Sequence, residues 1–344
     1  MAYTTIDNGE EHFNTILYTG DGSADNDITG VGFAPDWVWA KNRGAADANW
    51  ILDSTRGATK GLYTNGNAAE NTQNHLISFD SDGFSVGNQA NGLNTSSNNY
   101  VAWNWKANGG TTSSNTDGDI TTTVQTNSTA GFSIITYTGN GNNLDTIGHG
   151  LGATPDFAVV KGRTGDNTKR WFVKIPAVCG NSEILEWDTS NGKQDSGNGI
   201  ETMGSSTITL GIDTGNVNST NESSKTYVCY AFKNIQGYSK IGRYTGNGNA
   251  DGPFVYTGFK PALVIAKRTD GNGNDWRIAD NKRDPFNIVD GRIKINSSDA
   301  EDSSDQFDFL SNGFKLRTTA GDLNGTSGHT FIYIAFAEHP FVSS

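Results

Sequence analysis

Apolar and polar residues alternate along most of this chain with a period near two, the signature of half-buried β-strands. Val101, Trp103 and Trp105 fall on one side of their segment, Ala102 and Asn104 on the other. Trp37, Trp39 and Lys41 alternate with Val38 and Ala40 in the same way. Phe79-Asp80-Ser81-Asp82-Gly83-Phe84 reads as strand, tight turn, strand, and Phe309-Leu310-Ser311-Asn312-Gly313-Phe314 as its counterpart. No segment carries a capped, helix-length amphipathic stripe.

The pattern occurs three times. Tyr18-Thr19-Gly20-Asp21-Gly22 returns as Tyr137-Thr138-Gly139-Asn140-Gly141 and as Tyr244-Thr245-Gly246-Asn247-Gly248. Each copy continues through Pro35, Pro155 or Pro261 into a hydrophobic run that ends at Lys41, Lys161 or Lys267. A polar loop and a lone tryptophan follow: Trp50, Trp171, Trp276. Each copy closes on an aromatic strand, Tyr100 to Trp105, Tyr227 to Phe232 or Phe331 to Phe336. That strand is apolar at nearly every position, as the centre of a sheet requires.

These signals predict an all-β chain of three tandem β-sandwich, jelly-roll-like repeats. The expected layout is an N-terminal arm over 1–13, repeat one over 14–110, a linker over 111–130, repeat two over 131–236 and repeat three over 237–344. A threonine-rich strand candidate, Ile120 to Val124, lies inside the polar linker. The short junction between repeats two and three predicts a stiffer contact there than between one and two. A triplicated frame also argues for a building block rather than for one unique catalytic centre.

Composition sharpens this picture. The 43 Gly supply turns together with abundant Asn and Ser, while 17 Phe, 11 Tyr and 8 Trp suit pleated strands. The formal charge of −12, from 25 basic and 37 acidic residues, disfavours nucleic acid and anionic membrane as partners. No apolar run approaches the ~20 residues of a membrane span. Met1 to Asp7 lack a charged n-region and an apolar h-region, so synthesis in a cytoplasm without Sec export is expected. Cys179 and Cys229 read as buried thiols, and no Cys/His spacing matches a zinc site.

Several motifs invite a chemical role, and each also has a plainer structural one. Gly83-Phe84-Ser85-Val86-Gly87 fits the pattern of a nucleophile elbow, but it follows a hairpin turn and no helix pattern follows it. Repeat three has Lys315 where repeat one has Ser85. Glu186 and Asp188 would share a strand face, without Glu183, and are the one pair considered for glycoside cleavage. Asp80-Ser81-Asp82-Gly83 resembles the start of a calcium loop, and Asp299, Glu301, Asp302, Asp305 and Asp308 form an acidic run. Solvated loops are the default reading of both. The histidines His12, His75, His149, His329 and His339 occupy non-equivalent places without metal or triad spacing. The recurring tryptophans read as core, and Lys41, Lys161, Lys267 with Arg43, Arg163 and Arg268 read as strand-end cations bonded to neighbouring loops. No catalytic, cofactor or metal residue is expected, and the ligand-contacting loops are not identified.

Three stretches carry a family resemblance: Gly32 to Arg43, Phe79 to Phe84 and Tyr100 to Lys106. They resemble uncharacterised repeat proteins of aquatic tailed bacteriophages, often described as fibre-like or lectin-like. Gly148 to Gly152 and Tyr256 to Pro261 are similar to later parts of the same proteins. The resemblance implies a virion protein made in the host cytoplasm. The expected function is a tail-fibre or receptor-binding component that contacts host surface glycan and other virion proteins. It would act as a homo-oligomer, a trimer being favoured. A capsid decoration or head-fibre protein is the alternative, and a glycan depolymerase using Glu186 and Asp188 is the second alternative.

Overall fold

A computed structural model describes residues 4–165, 170–212, 218–325 and 327–339. Side chains 305, 306 and 339 are outside the described set. The architecture is all-β, built from several sheets. Repeat one contains β1 (Phe13–Thr19), β2 (Asn26–Thr29), β3 (Trp37–Asn42), β4 (Trp50–Asp53), β5 (Lys60–Tyr63), β6 (Asn71–Thr72), β7 (Leu76–Asp80), β8 (Gly83–Val86) and β9 (Asn99–Trp105). Repeat two opens with β10 (Ser113–Asn115) and β11 (Thr122–Asn127). It continues with β12 (Phe132–Thr138), β13 (Thr146–Gly148), β14 (Phe157–Gly162), β15 (Trp171–Lys174), β16 (Glu183–Glu186), β17 (Gln194–Asp195), β18 (Ile200–Met203), β19 (Thr207–Leu210) and β20 (Thr226–Phe232). Repeat three contains β21 (Ser239–Thr245), β22 (Phe254–Tyr256), β23 (Lys260–Arg268), β24 (Arg277–Asp280), β25 (Val289–Lys294), β26 (Asp302–Leu310), β27 (Gly313–Leu316) and β28 (Thr330–His339).

In repeat one the main sheet runs β1-β9-β3-β4-β5-β6 and a small sheet runs β2-β8-β7. Repeat two has the same plan, with β10 and β11 added at the outer edge of β12. In repeat three the β25–β26 pairing joins the two sheets into one of eight strands, β21-β28-β23-β24-β25-β26-β27-β22. The polar segment 111–130 thus carries two strands. Val124 and Thr122 turn inward and Thr123 outward, enough alternation to pair β11 with β12.

The strands that end at the three lysines are buried on both faces, which explains their unbroken apolar sequence. Val38 and Ala40, Ala158 and Val160, and Val264 and Ala266 each enter the private cluster of their own repeat. Trp37 and Trp39, Phe157 and Val159, and Leu263 and Ile265 all enter one central cluster shared by the three repeats. The junction between repeats one and two is therefore packed like the others. It is also pinned by buried Gln125 of β11, whose side-chain oxygen accepts from Thr55 Oγ1 at 2.7 Å and Ser54 Oγ at 3.0 Å and whose amide donates to Asp36. Arm residue Ile6 joins the same central cluster.

The contacts between repeats are cyclic. Lys41 donates to Ser298 O of repeat three at 3.0 Å, Lys161 to Asn67 O of repeat one at 2.9 Å, and Lys267 to Ser190 O of repeat two at 3.2 Å. Backbone bonds follow the same order: Glu301 N to Arg43 O, Glu70 N to Arg163 O, Lys193 N to Thr269 O. Each repeat binds one neighbour with one edge and the other with the opposite edge, so three copies close a ring within one chain.

One sequence equivalence shifts by a residue. Trp50 pairs with Ala40, whereas Trp171 pairs with Lys161 and Trp276 precedes Arg277, the partner of Ala266. The position matching Trp171 and Trp276 is therefore Asn49. Trp171 Nε1 donates to Tyr63 O at 3.0 Å and Trp276 Nε1 to Glu186 O at 2.8 Å, both across a repeat boundary. Asn49 Nδ2 does the same work, reaching Ile295 O at 2.9 Å and Ser297 O at 2.8 Å. A one-residue step in a strand changes the face, so Trp50 packs in its own repeat against His75, ring centres 3.7 Å apart.

Candidate functional site

The structure gives each sequence-derived candidate a place and a set of partners. Ser85 Oγ lies on the outer face of β8, 2.6 Å from an Asp27 oxygen and 2.9 Å from an Asp80 oxygen, and no described histidine is bonded to it. Asp82 accepts from Gly30 N at 3.1 Å and Gly32 N at 2.7 Å, which fixes a turn. In the acidic run, Asp299 pairs with Lys294 at 2.8 Å, Glu301 with Arg43, and Asp308 with Arg317 at 3.3 Å. Asp302 pairs with Arg292. The side chains of Asp305 and His339 lie outside the described set. Among the described residues no three His, Cys, Asp or Glu side chains are grouped to hold a metal.

Strand β16 ends at Glu186 and Asp188 lies in the turn after it, and both carboxylates turn to Arg170: Asp188 at 3.1 Å, Glu186 at 3.7 Å. Asp188 also accepts from Trp171 N at 3.1 Å, and Glu186 from Thr189 at 3.2 Å and Gln194 at 3.3 Å. Glu183 pairs with Lys193 at 2.9 Å instead. Glu186 sits at the boundary of repeats two and three, its carbonyl holding Trp276. Cys179 and Cys229 are free and buried. The cavity at the centre of the ring, lined by Trp37, Trp105, Trp187, Phe232 and Phe336, measures about 10 Å³, too small for a ligand.

The repeated turns are held from inside. Asn94, Asn221 and Asn324 are buried, and each accepts from the turn backbone at Asp21, Asn140 or Asn247. Asn221 Nδ2 also reaches Asn142 O at 2.7 Å, and Asn324 Nδ2 reaches Asn249 O at 2.7 Å. These asparagines tie each turn to a distant loop. Their spacing from the turn, near 75 residues, hid the relationship from a sequence reading.

What distinguishes one repeat from the others is the outer face of its small sheet. Cross-strand register makes Ile28, Ile147 and Val255 equivalent inward residues, opposite Phe84, Ile208 and Phe314. Their neighbours point outward. In repeat one these are Asp27 and Thr29, and in repeat two Thr146 and Gly148. In repeat three they are Phe254 and Tyr256, 46% and 61% exposed. Register places Phe254 beside Lys315 and Lys315 beside Asp308. Lys315 pairs with Asp251 at 2.8 Å, so charged side chains frame the two rings. Phe286 and Ile288, 82% and 49% exposed, border this sheet because Asn287 bonds both backbone groups of Phe309. Of six exposed large apolar side chains among the described residues, two are on this face and two more flank the sheet at the far side of β26. Beside Tyr256 lies an open groove of about 370 Å³, lined by Asn234, Gln236, Lys240 and Thr257.

A family model described as a domain of unknown function, DUF7483, matches residues 8–340. The chain belongs to this family. No curated protein and no solved structure matches it. The match runs through all three repeats, so the family unit is the whole ring and not a single copy.

Proposed function

We propose that this protein is a virion structural component of three β-sandwich, jelly-roll-like repeats, which contacts host surface glycan at the outer face of repeat three. The observation that carries the reading is the outward pair Phe254 and Tyr256, present where the two sister repeats carry aspartate, threonine or glycine. Exposed aromatic rings stack on the apolar faces of sugar rings and keep a polar tip for hydrogen bonding. Gln236 and Lys240 in the adjoining groove supply the donors that a sugar hydroxyl or carboxylate needs. One such face per chain binds weakly by itself. Several copies on a fibre, as a homotrimer, add avidity through multivalency.

A glycan array probed with the full chain tests this. Retention on a defined set of glycans, lost in Phe254→Ser/Tyr256→Ser and kept in Asp27→Asn, supports the reading. Equal retention by the double variant, or none by the wild type, removes it. Labelled protein on intact particles would separate tail from capsid placement.

A further inference from the structure

The outer strands of each repeat, β2, β13 or β22, lie at a sheet edge. In repeat two the chain covers that edge itself. Ile120 N donates to Thr146 O at 3.0 Å, Thr146 N donates to Asp119 at 3.0 Å, and Thr122 Oγ1 donates to Gly148 O at 3.0 Å. The same segment runs on into β11, where Thr123 pairs with Thr136 and Val124 with Ile135 along β12. Ile120 and Val124 enter the private cluster of repeat two, so residues 119–124 close the mouth between its two sheets.

Repeat three has no such segment, because β20 ends at Phe232 and β21 begins at Ser239. Bonds from Leu316 N to Pro253 O and from Thr257 N to Asn312 O set the phase of β22 on β27. Phe254 and Tyr256 then direct their N–H and C=O groups away from β27. Among the described residues no backbone group bonds them on that side, and both residues are exposed. Across the mouth, the side chain of Asn234 caps the outward N–H and C=O of Ile241 on β21. Arg243 has the same orientation on that strand as Ile241 and is exposed.

The floor of the mouth is polar. Tyr333 stands in register where the sister repeats have Ala102 and Cys229. Its ring leans across Gly242, which puts the hydroxyl 2.8 Å from the place a Cβ there would take. Tyr333 is 3% exposed, and among the described residues its hydroxyl has no hydrogen-bond partner. A buried hydroxyl left unpaired is costly, and this one lies over a half-exposed glycine on an uncovered edge.

We propose that this mouth takes an extended polypeptide strand from another protein chain, laid along the path that residues 119–124 follow in repeat two. In such strand addition main-chain bonds give affinity and alternate side chains give specificity. The partner strand opens on an acid, as Asp119 does, which accepts the N–H of Phe254. It carries a second acid opposite Arg243, where repeat two sets Thr123 against Thr136. It then places a hydroxyl beside Tyr333, where repeat two has Val124. The path stops opposite Gly242, short of Asn234 and of the groove with Gln236 and Lys240. The strand therefore uses backbone in the plane of the sheet, whereas the glycan reading uses ring faces and the groove.

Fluorescence anisotropy of the full chain tests this, with a labelled peptide that copies residues 119–124 and carries Thr123→Glu and Val124→Ser. Saturable binding is expected. Arg243→Thr, which copies Thr136, and Phe254→Pro, which removes an outward N–H and spares the β27 ladder, should each weaken it roughly tenfold or more. Tyr333→Phe should weaken it about fivefold, the worth of one hydrogen bond. Urea midpoints check that the variants stay folded. Phe254→Ser/Tyr256→Ser keeps the backbone, so it should leave peptide binding intact even where glycan retention is lost, which separates failure of one reading from failure of the other. Binding no tighter than that of a scrambled peptide overturns the proposal, as does binding that neither Arg243→Thr nor Phe254→Pro changes. A second copy seated in the mouth, seen as a dimer in sedimentation that the peptide does not dissociate, overturns it too.

Discussion

Asp53 and Arg56 form an ion pair with both side chains fully buried where repeat one meets repeat two. Arg56 also donates to Glu70 at 2.9 Å and to Lys60 O at 2.9 Å, and Tyr230 of repeat two donates its hydroxyl to Asp53 at 2.7 Å. Repeat three repeats the device toward repeat one: Asp280 binds Arg283 at 2.6 Å, and Trp103 Nε1 donates to Asp280 at 3.0 Å. Trp103, Tyr230 and Ile334 are equivalent in register. At the third junction Ile334 has nothing to donate, and the acid and base positions hold Ile175 and Val178. The polar triad is thus present or absent as a unit. Arg56→Ala removes the cation and leaves the Asp53 carboxylate buried with only the Tyr230 hydroxyl and the backbone N–H of residue 56 as donors. Breaking a buried pair in this way costs about 3–5 kcal/mol. The triple variant Asp53→Ile/Arg56→Val/Tyr230→Ile copies the third junction and should cost clearly less, because exchanging a whole buried ion pair for apolar groups is often near neutral. Urea unfolding followed by tryptophan fluorescence measures both, and the shared central cluster predicts a single transition. A cost below about 1 kcal/mol for Arg56→Ala, or a triple variant as unstable as the single one, would refute the reasoning.

Acid should destabilise the fold in two windows. Burial lowers His75 from 6.5 to about 4, so the unfolded chain takes the proton first and stability falls as pH drops from 6.5 toward 4; His75→Gln should flatten that slope. Burial alone would raise Glu70, but its bonds to Arg163 and Arg56 outweigh it and hold the carboxyl below its ordinary 4.5. Its contribution is complete above 4.5 and is lost as pH falls through the depressed value, which Glu70→Gln would abolish in a pH series of urea midpoints. Asn221→Ala leaves the turn amide of Asn140 without its acceptor and should cost about 1–3 kcal/mol, read as a lower thermal midpoint. Phe254→Ser and Tyr256→Ser remove exposed rings and should change stability by less than about 0.5 kcal/mol, so any loss of glycan retention is a loss of contact.

The sequence by itself determined the strands, the turns and the threefold repetition, because period-two alternation and Gly-Asn turn chemistry are local. It marked Lys41, Lys161 and Lys267 as strand-end cations and the recurring tryptophans as core, yet it aligned Trp50 with its sisters although its side chain faces the other way. Only the tertiary structure decided that the repeats close into a ring around one core, since a strand buried on both faces reads alike whichever neighbour covers it. The structure also decided which outward position becomes a surface: Phe254 and Tyr256 resemble core aromatics in sequence and differ only in having no sheet above them.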